Sequence, residues 1–516
     1  MARFPLHSTP VRAVALGGVV LVSAAAAILL HRNGHTQGDD FALYLRQARS
    51  IFDGDSAQVI ADNRLAVLNS NEGFSPIGYP WGWPLILSPF VHVWGLDYDR
   101  LKLIEVALLC AWLVLVHGII RRRVGRPIAL GVVAVFGTTL SFLTHTDELL
   151  SEFPHLVAVA LVIWWYDRVR ERTTLVAART GELAVLGGLV VVAFNMRREG
   201  IVLVAVIAIL QLGELGDRAS TAGFHRWKRF WREVRDRWRP IVTPHLTFFV
   251  GAVLFQLMLP TDLLPESGNS RTHIPDRFAE YPSVLTKHLG IGDHPAIGVT
   301  FIVLALVGAV LGMRRRPALD GVLVLTALFS ALTISTHFRL VDRYWFQVDP
   351  WVLYFAVVGV VELARFALRR RERWSLGLAV LPILWLVIVH VVVVPSRIGD
   401  ARDFDDSGRK QVGPTNAEYV PIFEAVRTYT PPDAIVDFFR ARTMTLLTDR
   451  VAIQQTNIDR IREHADYFAQ HRGTDYWQPK FSLADGVAMG FEVVWQNPDW
   501  ILWKVAPPDV ALATVP

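Results

Sequence analysis

One cysteine, Cys110, stands in 516 residues, so the chain can form no internal disulfide and no cysteine-based metal site. Charge is also sparse. Asp, Glu, Lys and Arg make up 19% of the chain against 52% hydrophobic residues, and the mean hydropathy is +0.34. A soluble chain of this length carries more charge. The sequence has no internal repeat, no glycine-rich phosphate loop and no HExxH zinc helix. Its net charge of +5 is no nucleic-acid signal, because the basic residues cluster by topology. Cys110 lies in an apolar run, where its thiol packs as a small hydrophobe.

What is present is a series of apolar runs near bilayer length. Eleven are read, at 11–31, 102–120, 127–146, 150–166, 182–196, 199–214, 241–260, 296–313, 318–336, 347–367 and 375–395. The first contains "VSAAAA" (22–27), as a signal peptide would, but its length favours an uncleaved anchor. The loops 121–126, 167–174, 214–240, 314–317 and 369–373 are Arg-rich and fall on one side. That places the N-terminus in the cytoplasm and the C-terminus outside. Within 225–239, Trp227, Phe230, Trp231, Val234 and Trp238 recur at helical spacing opposite Arg and Lys. This is the pattern of an interfacial helix on an anionic leaflet.

The expected architecture is an α-helical polytopic membrane protein with a small C-terminal α/β extracytoplasmic domain. Residues 1–395 form the membrane domain with its first external loop at 32–101, 396–416 a linker, and 417–516 the α/β domain. In that domain 434–438 and 451–455 read as strands, Ile458–Gln470 as a helix, and 491–505 as a hairpin turning at Asn497–Asp499.

Ionisable residues gather on the external rim, where charge beside a low-dielectric slab is costly unless used or paired. Asp39 and Asp40 precede "FALYLRQARSIF", whose Phe41, Leu45, Ala48 and Phe52 form an apolar stripe, predicting a helix on the membrane. The acids either cap that helix or supply a general base. Glu152 with Pro154 reads first as a helix start. Arg197, Arg198 and Glu199 sit in a tight external turn, where two arginines defy the charge rule and so have a specific task. Arg339 and Arg343 either pair with Asp342, or Arg343 faces a phosphate. His145, His155 and His337 read as interfacial hydrogen-bonders rather than metal ligands. The stretch 78–90, with Tyr79 and two tryptophans, reads as a re-entrant or interfacial segment.

In this order, "GDDFALYLRQARSI", "YPWGWPLILSPF", "SEFPH", "RREG", "DRYWFQVDPW" and the closing hairpin resemble the GT-C superfamily of integral-membrane glycosyltransferases. The likeness is to the bacterial branch of protein O-mannosyltransferases and the lipid A aminoarabinose transferase, and it spans nearly the whole chain. The resemblance implies a GT-C fold in the bacterial inner membrane. It implies a polyprenyl-phosphate sugar as donor and a glycan, lipid or protein as acceptor. It makes Asp39 the first candidate for the base. Asp40 comes second, as its support or as a ligand to a divalent cation. Arg197, Arg198, Glu199, Arg343, Glu152, His155 and Tyr79 fall near the donor phosphate or the pocket wall. The chain departs from the family at Arg198 and Gln347, where proline is common, and at Asp349. Two further readings are a polytopic lipid or sugar transporter or flippase, which would place charge near the midplane, and an inactive envelope-assembly subunit.

Overall fold

The structure, a computed structural model, describes residues 9–220, 225–261, 274–337, 341–368, 372–473 and 477–506. Helix α1 (Thr9–Leu30) leads into three short helices of the first loop, α2 (Asp40–Asp53), α3 (Ser56–Asn69) and α4 (Gly82–Trp94). The bundle continues with α5 (Tyr98–Val124), α6 (Arg126–Thr138), α7 (Leu140–His145), α8 (Glu152–Arg172) and α9 (Thr180–Met196). Then come α10 (Val202–Ser220), α11 (Arg226–Asp236), α12 (Trp238–Met258), α13 (Ile274–His288), α14 (Pro295–Arg315), α15 (Pro317–Ser335), α16 (Asp349–Ala367) and α17 (Glu372–Asp406). Every apolar run falls on helix. Among the described residues seven segments are long and apolar enough to cross a membrane, those of α5, α10, α12, α14, α15, α16 and α17. This is a multi-pass membrane protein.

The bundle has two unlike ends. Helix α5, of 27 residues, is about 40 Å long. Near its start Lys102 is fully buried, 2.8 Å from Asp147. At its finish Arg123 meets Asp167 through two bonds of 2.6 and 2.8 Å. The arginine-rich ends of α8 and α14 lie with the latter. Helix α11 buries no residue and presents Trp227 and Trp231 to its surroundings. Midway, α14 and α16 cross closely: a Cβ at Gly308 would stand 1.9 Å from the Phe355 carbonyl oxygen. Small residues permit such approach.

Three expectations are corrected. The run 127–146 is not one helix. It breaks at Thr139, which is extended and donates its hydroxyl to the His288 carbonyl at 2.5 Å. The stretch 78–90 is neither re-entrant nor interfacial. Trp81 and Trp83 are fully buried, the Trp81 indole donates to the Pro260 carbonyl at 2.7 Å, and Gly82 lies against Asn195 of α9. The linker 396–416 is largely helix, because α17 runs through Pro395 to Asp406. Its remainder is fixed to the first loop, with the Gln411 amide donating to the Asn33 carbonyl at 2.9 Å.

The C-terminal domain holds α18 (Val420–Tyr429), β1 (Ile435–Asp437), α19 (Ala441–Thr448), β2 (Val451–Ile453), α20 (Ile458–His464), β3 (Tyr467–His471), α21 (Leu483–Ala488), β4 (Glu492–Gln496) and β5 (Trp500–Lys504). The sheet order is β2-β1-β3-β5-β4. β1 is parallel to β2 and β3, while β5 is antiparallel to β3 and β4. The helix expected over Ile458–Gln470 ends at His464. Tyr467–His471 is instead the central strand, buried along its whole length. A fully buried strand shows no alternation, so its apolar residues read as helix.

Candidate active site

A cavity of about 300 Å³ opens at the end of the bundle that carries the C-terminal domain. One wall is the segment His35–Phe41 with Arg343. The other includes Phe74 and Ser75 of the first loop and Arg440, Arg442 and Gln454 of the C-terminal domain. Helix α2 begins here because its stripe is taken up by protein. Phe41, Leu45 and Ala48 are buried, while Phe52 is exposed and stacks on His92.

Asp39 occupies the N-cap position of α2, yet its side chain makes no capping hydrogen bond. Its Oδ1 is buried without a partner. Burial pushes the Asp39 carboxyl above the usual carboxylate range. Arg440 and Arg442 oppose the shift, and the charge of Asp40 adds to it. Asp40 is differently placed. It accepts from the Tyr79 hydroxyl at 2.6 Å and from Arg343 at 3.4 Å, and Arg442 lies 3.9 Å away. Burial and the Asp40 charge hold the Tyr79 phenol well above its ordinary value, so it remains a donor.

From Asp40 the charges run inward in one line. Arg343, on the turn Asp342–Gln347 before α16, donates to Glu152 at 2.8 Å. Glu152 begins α8, nearly buried, and also accepts from Arg197 at 2.9 Å. Arg197 donates onward to Glu199 at 2.9 Å. Burial works against the Arg343 charge, yet Glu152 and Asp40 hold its guanidinium above the usual arginine range. The turn that presents Arg197 needs Gly200, whose Cβ would meet the Ala193 carbonyl carbon at 2.6 Å.

Asp39, Asp40 and Arg343 thus line the cavity, while Tyr79 reaches it through Asp40. Glu152, Arg197 and Glu199 stand behind, engaged with one another. His155 is buried between the Ala193 carbonyl at 3.3 Å and Gln347 at 3.2 Å. Arg198 does not join them: its guanidinium lies over the Phe194 ring, 4.6 Å from the centroid. Arg339 lies outside the described residues. Asp349 pairs with His288 at 2.7 Å and accepts from Tyr281 at 3.0 Å, tying α13 to α16. The oxygens of Asp40 face a phenol and two guanidinium groups, a setting poor for a cation. Among the described residues no group of three His, Cys, Asp or Glu could hold a metal.

Sequence reasoning missed Arg440 and Arg442. Arg442 is buried, donates to the Pro76 carbonyl at 2.7 Å and to Asn63 at 3.2 Å, and packs on Phe74. A signal existed. Arg440 and Arg442 stand at the first turn of α19, where the helix dipole disfavours cations. His35 was also missed. Burial pushes its imidazole down to about 3, and its Nε2 accepts from the Leu149 amide at 3.1 Å, so it is no free base.

No protein-family model matches the chain, and no curated protein matches it in sequence. Solved structures do match. ArnT from Cupriavidus metallidurans in the apo state aligns at TM-score 0.51 and 11% identity, over 96% of this chain and 98% of its own. The same protein bound to undecaprenyl phosphate gives 0.50 and 12%, over 97% and 100%. The apo oligosaccharyltransferase of Archaeoglobus fulgidus gives 0.55 and 10%, over 97% and 75%. At such identities the likeness is one of fold.

Proposed function

We propose that this chain, which has the GT-C fold, is a membrane glycosyltransferase moving a sugar from a polyprenyl-phosphate donor to an acceptor hydroxyl. The observation that carries the reading is the cavity where an unpartnered buried carboxylate, Asp39, stands beside three arginines. The structure of ArnT with undecaprenyl phosphate supports a polyprenyl phosphate as the carrier. A site on the rim, rather than at the midplane, speaks against transport. The orientation that fits is the bacterial inner membrane, with the N-terminus cytoplasmic and the cavity and C-terminal domain outside.

In this reading Asp39 takes the proton of the acceptor hydroxyl. The acceptor oxygen bonds to the anomeric carbon from the face opposite the leaving group, with inversion. The bond from that carbon to the phosphate oxygen breaks. The donor is a phosphodiester and the product a phosphomonoester, so negative charge grows on the leaving group. That growth asks for fixed cations rather than an acid. Arg343 is the cavity-lining cation held in place by Glu152 and Asp40. Asp40 and Tyr79 orient it. The acceptor is a glycan, lipid or protein hydroxyl.

The test is transfer of radiolabelled sugar from a panel of polyprenyl-phosphate sugars in proteoliposomes. One donor consumed, with free polyprenyl phosphate released, is expected. No donor consumed by folded protein removes the reading.

The environment of Asp39 also fixes a pH dependence. A base must be ionised, so activity is present above its folded-state pKa and lost as pH falls through it. Because burial raises that pKa, the acid limb of kcat/KM is expected above the ordinary Asp value of about 3.9. Arg440→Gln removes an opposing cation and should move the limb to higher pH. A limb unmoved by this change would exclude Asp39 as the titrating group.

A further inference from the structure

Arg442 and Arg440 enter the cavity from the same turn but are used differently. Arg442 spends its donors on Pro76, Asn63 and Tyr79 and so docks the C-terminal domain onto the first loop. The Nε of Arg440 is buried and has no hydrogen-bond partner, although the side chain lines the cavity. A buried guanidinium donor left unmade costs free energy unless a ligand completes it. Its place in the fold is also telling. Arg440 follows the carboxyl end of β1, and Gln454 follows that of the parallel neighbour β2. Ligands of open α/β sheets bind outside the carboxyl ends of parallel strands. Arg440 is moreover the N-cap residue of α19, and a helix N-terminus favours an anion beside it.

We infer that Arg440 is an anion-binding residue of the transfer cavity, taking a phosphate group of one of the two substrates. The inference rests on the proposed glycosyl transfer and deepens it. The C-terminal domain then supplies part of the substrate site rather than only a cover. The fork geometry of arginine suits a phosphate through two parallel N–H bonds. Two sources offer that chemistry: the phosphate of the carrier lipid and an anionic group on the acceptor. Asp39 faces the same space with its own unpartnered oxygen. A molecule bearing a hydroxyl and a phosphate would satisfy both groups at once.

The experiment uses the full chain in lipid nanodiscs and two probes, polyprenyl phosphate without sugar and a water-soluble sugar phosphate. Binding is measured for wild type, Arg440→Gln and Arg440→Lys, with thermal unfolding of each recorded alongside. Arg440→Gln is expected to weaken one probe by about tenfold or more, with Arg440→Lys intermediate and unfolding unchanged. Loss of polyprenyl phosphate binding names the donor as the source. Loss of sugar phosphate binding alone names the acceptor. If wild type binds polyprenyl phosphate and neither variant weakens either probe, the inference is overturned while the transferase reading stands. If wild type binds neither probe, both fall.

Discussion

Asp39→Asn is expected to lower the rate of sugar transfer by about 10²–10⁴-fold while polyprenyl phosphate still binds. The two neighbouring acids are distinguished by what already occupies them. Asp40 is engaged by Tyr79 and Arg343, with Arg442 close by, so a hydroxyl proton could reach it only by displacing a partner. Asp39 keeps a buried oxygen with none. Asparagine retains the shape and the acceptor oxygen but accepts no proton at neutral pH. Asp40→Asn should cost less, since it keeps an acceptor for Tyr79 and loses only the charge opposite Arg343. Single-turnover transfer from the active donor, measured beside donor binding, separates the two. An Asp39→Asn enzyme turning over at the wild-type rate would sink the assignment. A larger loss at Asp40 than at Asp39 would reverse it.

Much of this arrangement is legible along the chain, for a physical reason. Membrane spans are local objects: a run such as 102–120 carries its own signal, and α5 duly covers it. The acids at 39 and 40 and the arginine at 197 stand out because charge beside an apolar run must be used or paired. Geometry set by distant packing is not legible. Arg442 donates to the Tyr79 hydroxyl across 363 residues of sequence, and no local pattern announces such a meeting. Arg197 illustrates the limit from the other side. Its misplacement marks it as purposeful, but the sequence does not say that Glu152 and Glu199 take its donors. That pairing moves Arg197 from the cavity wall to the support behind it. The tryptophans at 81 and 83 mislead because interfacial anchoring and burial draw on the same residue type.

Glu152→Gln is expected to destabilise the protein by about 3–5 kcal/mol, because it leaves two guanidinium groups confined without their shared counter-charge. The Glu152 side chain is only 5% exposed and lies 2.8 Å from Arg343 and 2.9 Å from Arg197. It belongs to α8, Arg197 to the end of α9, and Arg343 to the turn before α16. One carboxylate therefore joins three elements at the base of the cavity. Glutamine keeps the volume and one acceptor oxygen, so the loss isolates the charge. Thermal unfolding in detergent should record it, and transfer should fall with it as Arg343 loses the partner that holds it. The double variant Glu152→Gln, Arg197→Met removes one of the stranded cations and should regain part of the stability. That recovery is the coupling a double-mutant cycle reads. If Glu152→Gln unfolds at the wild-type temperature, the line of charges behind Asp40 contributes nothing to the fold. Arg343 would then need another explanation for its position.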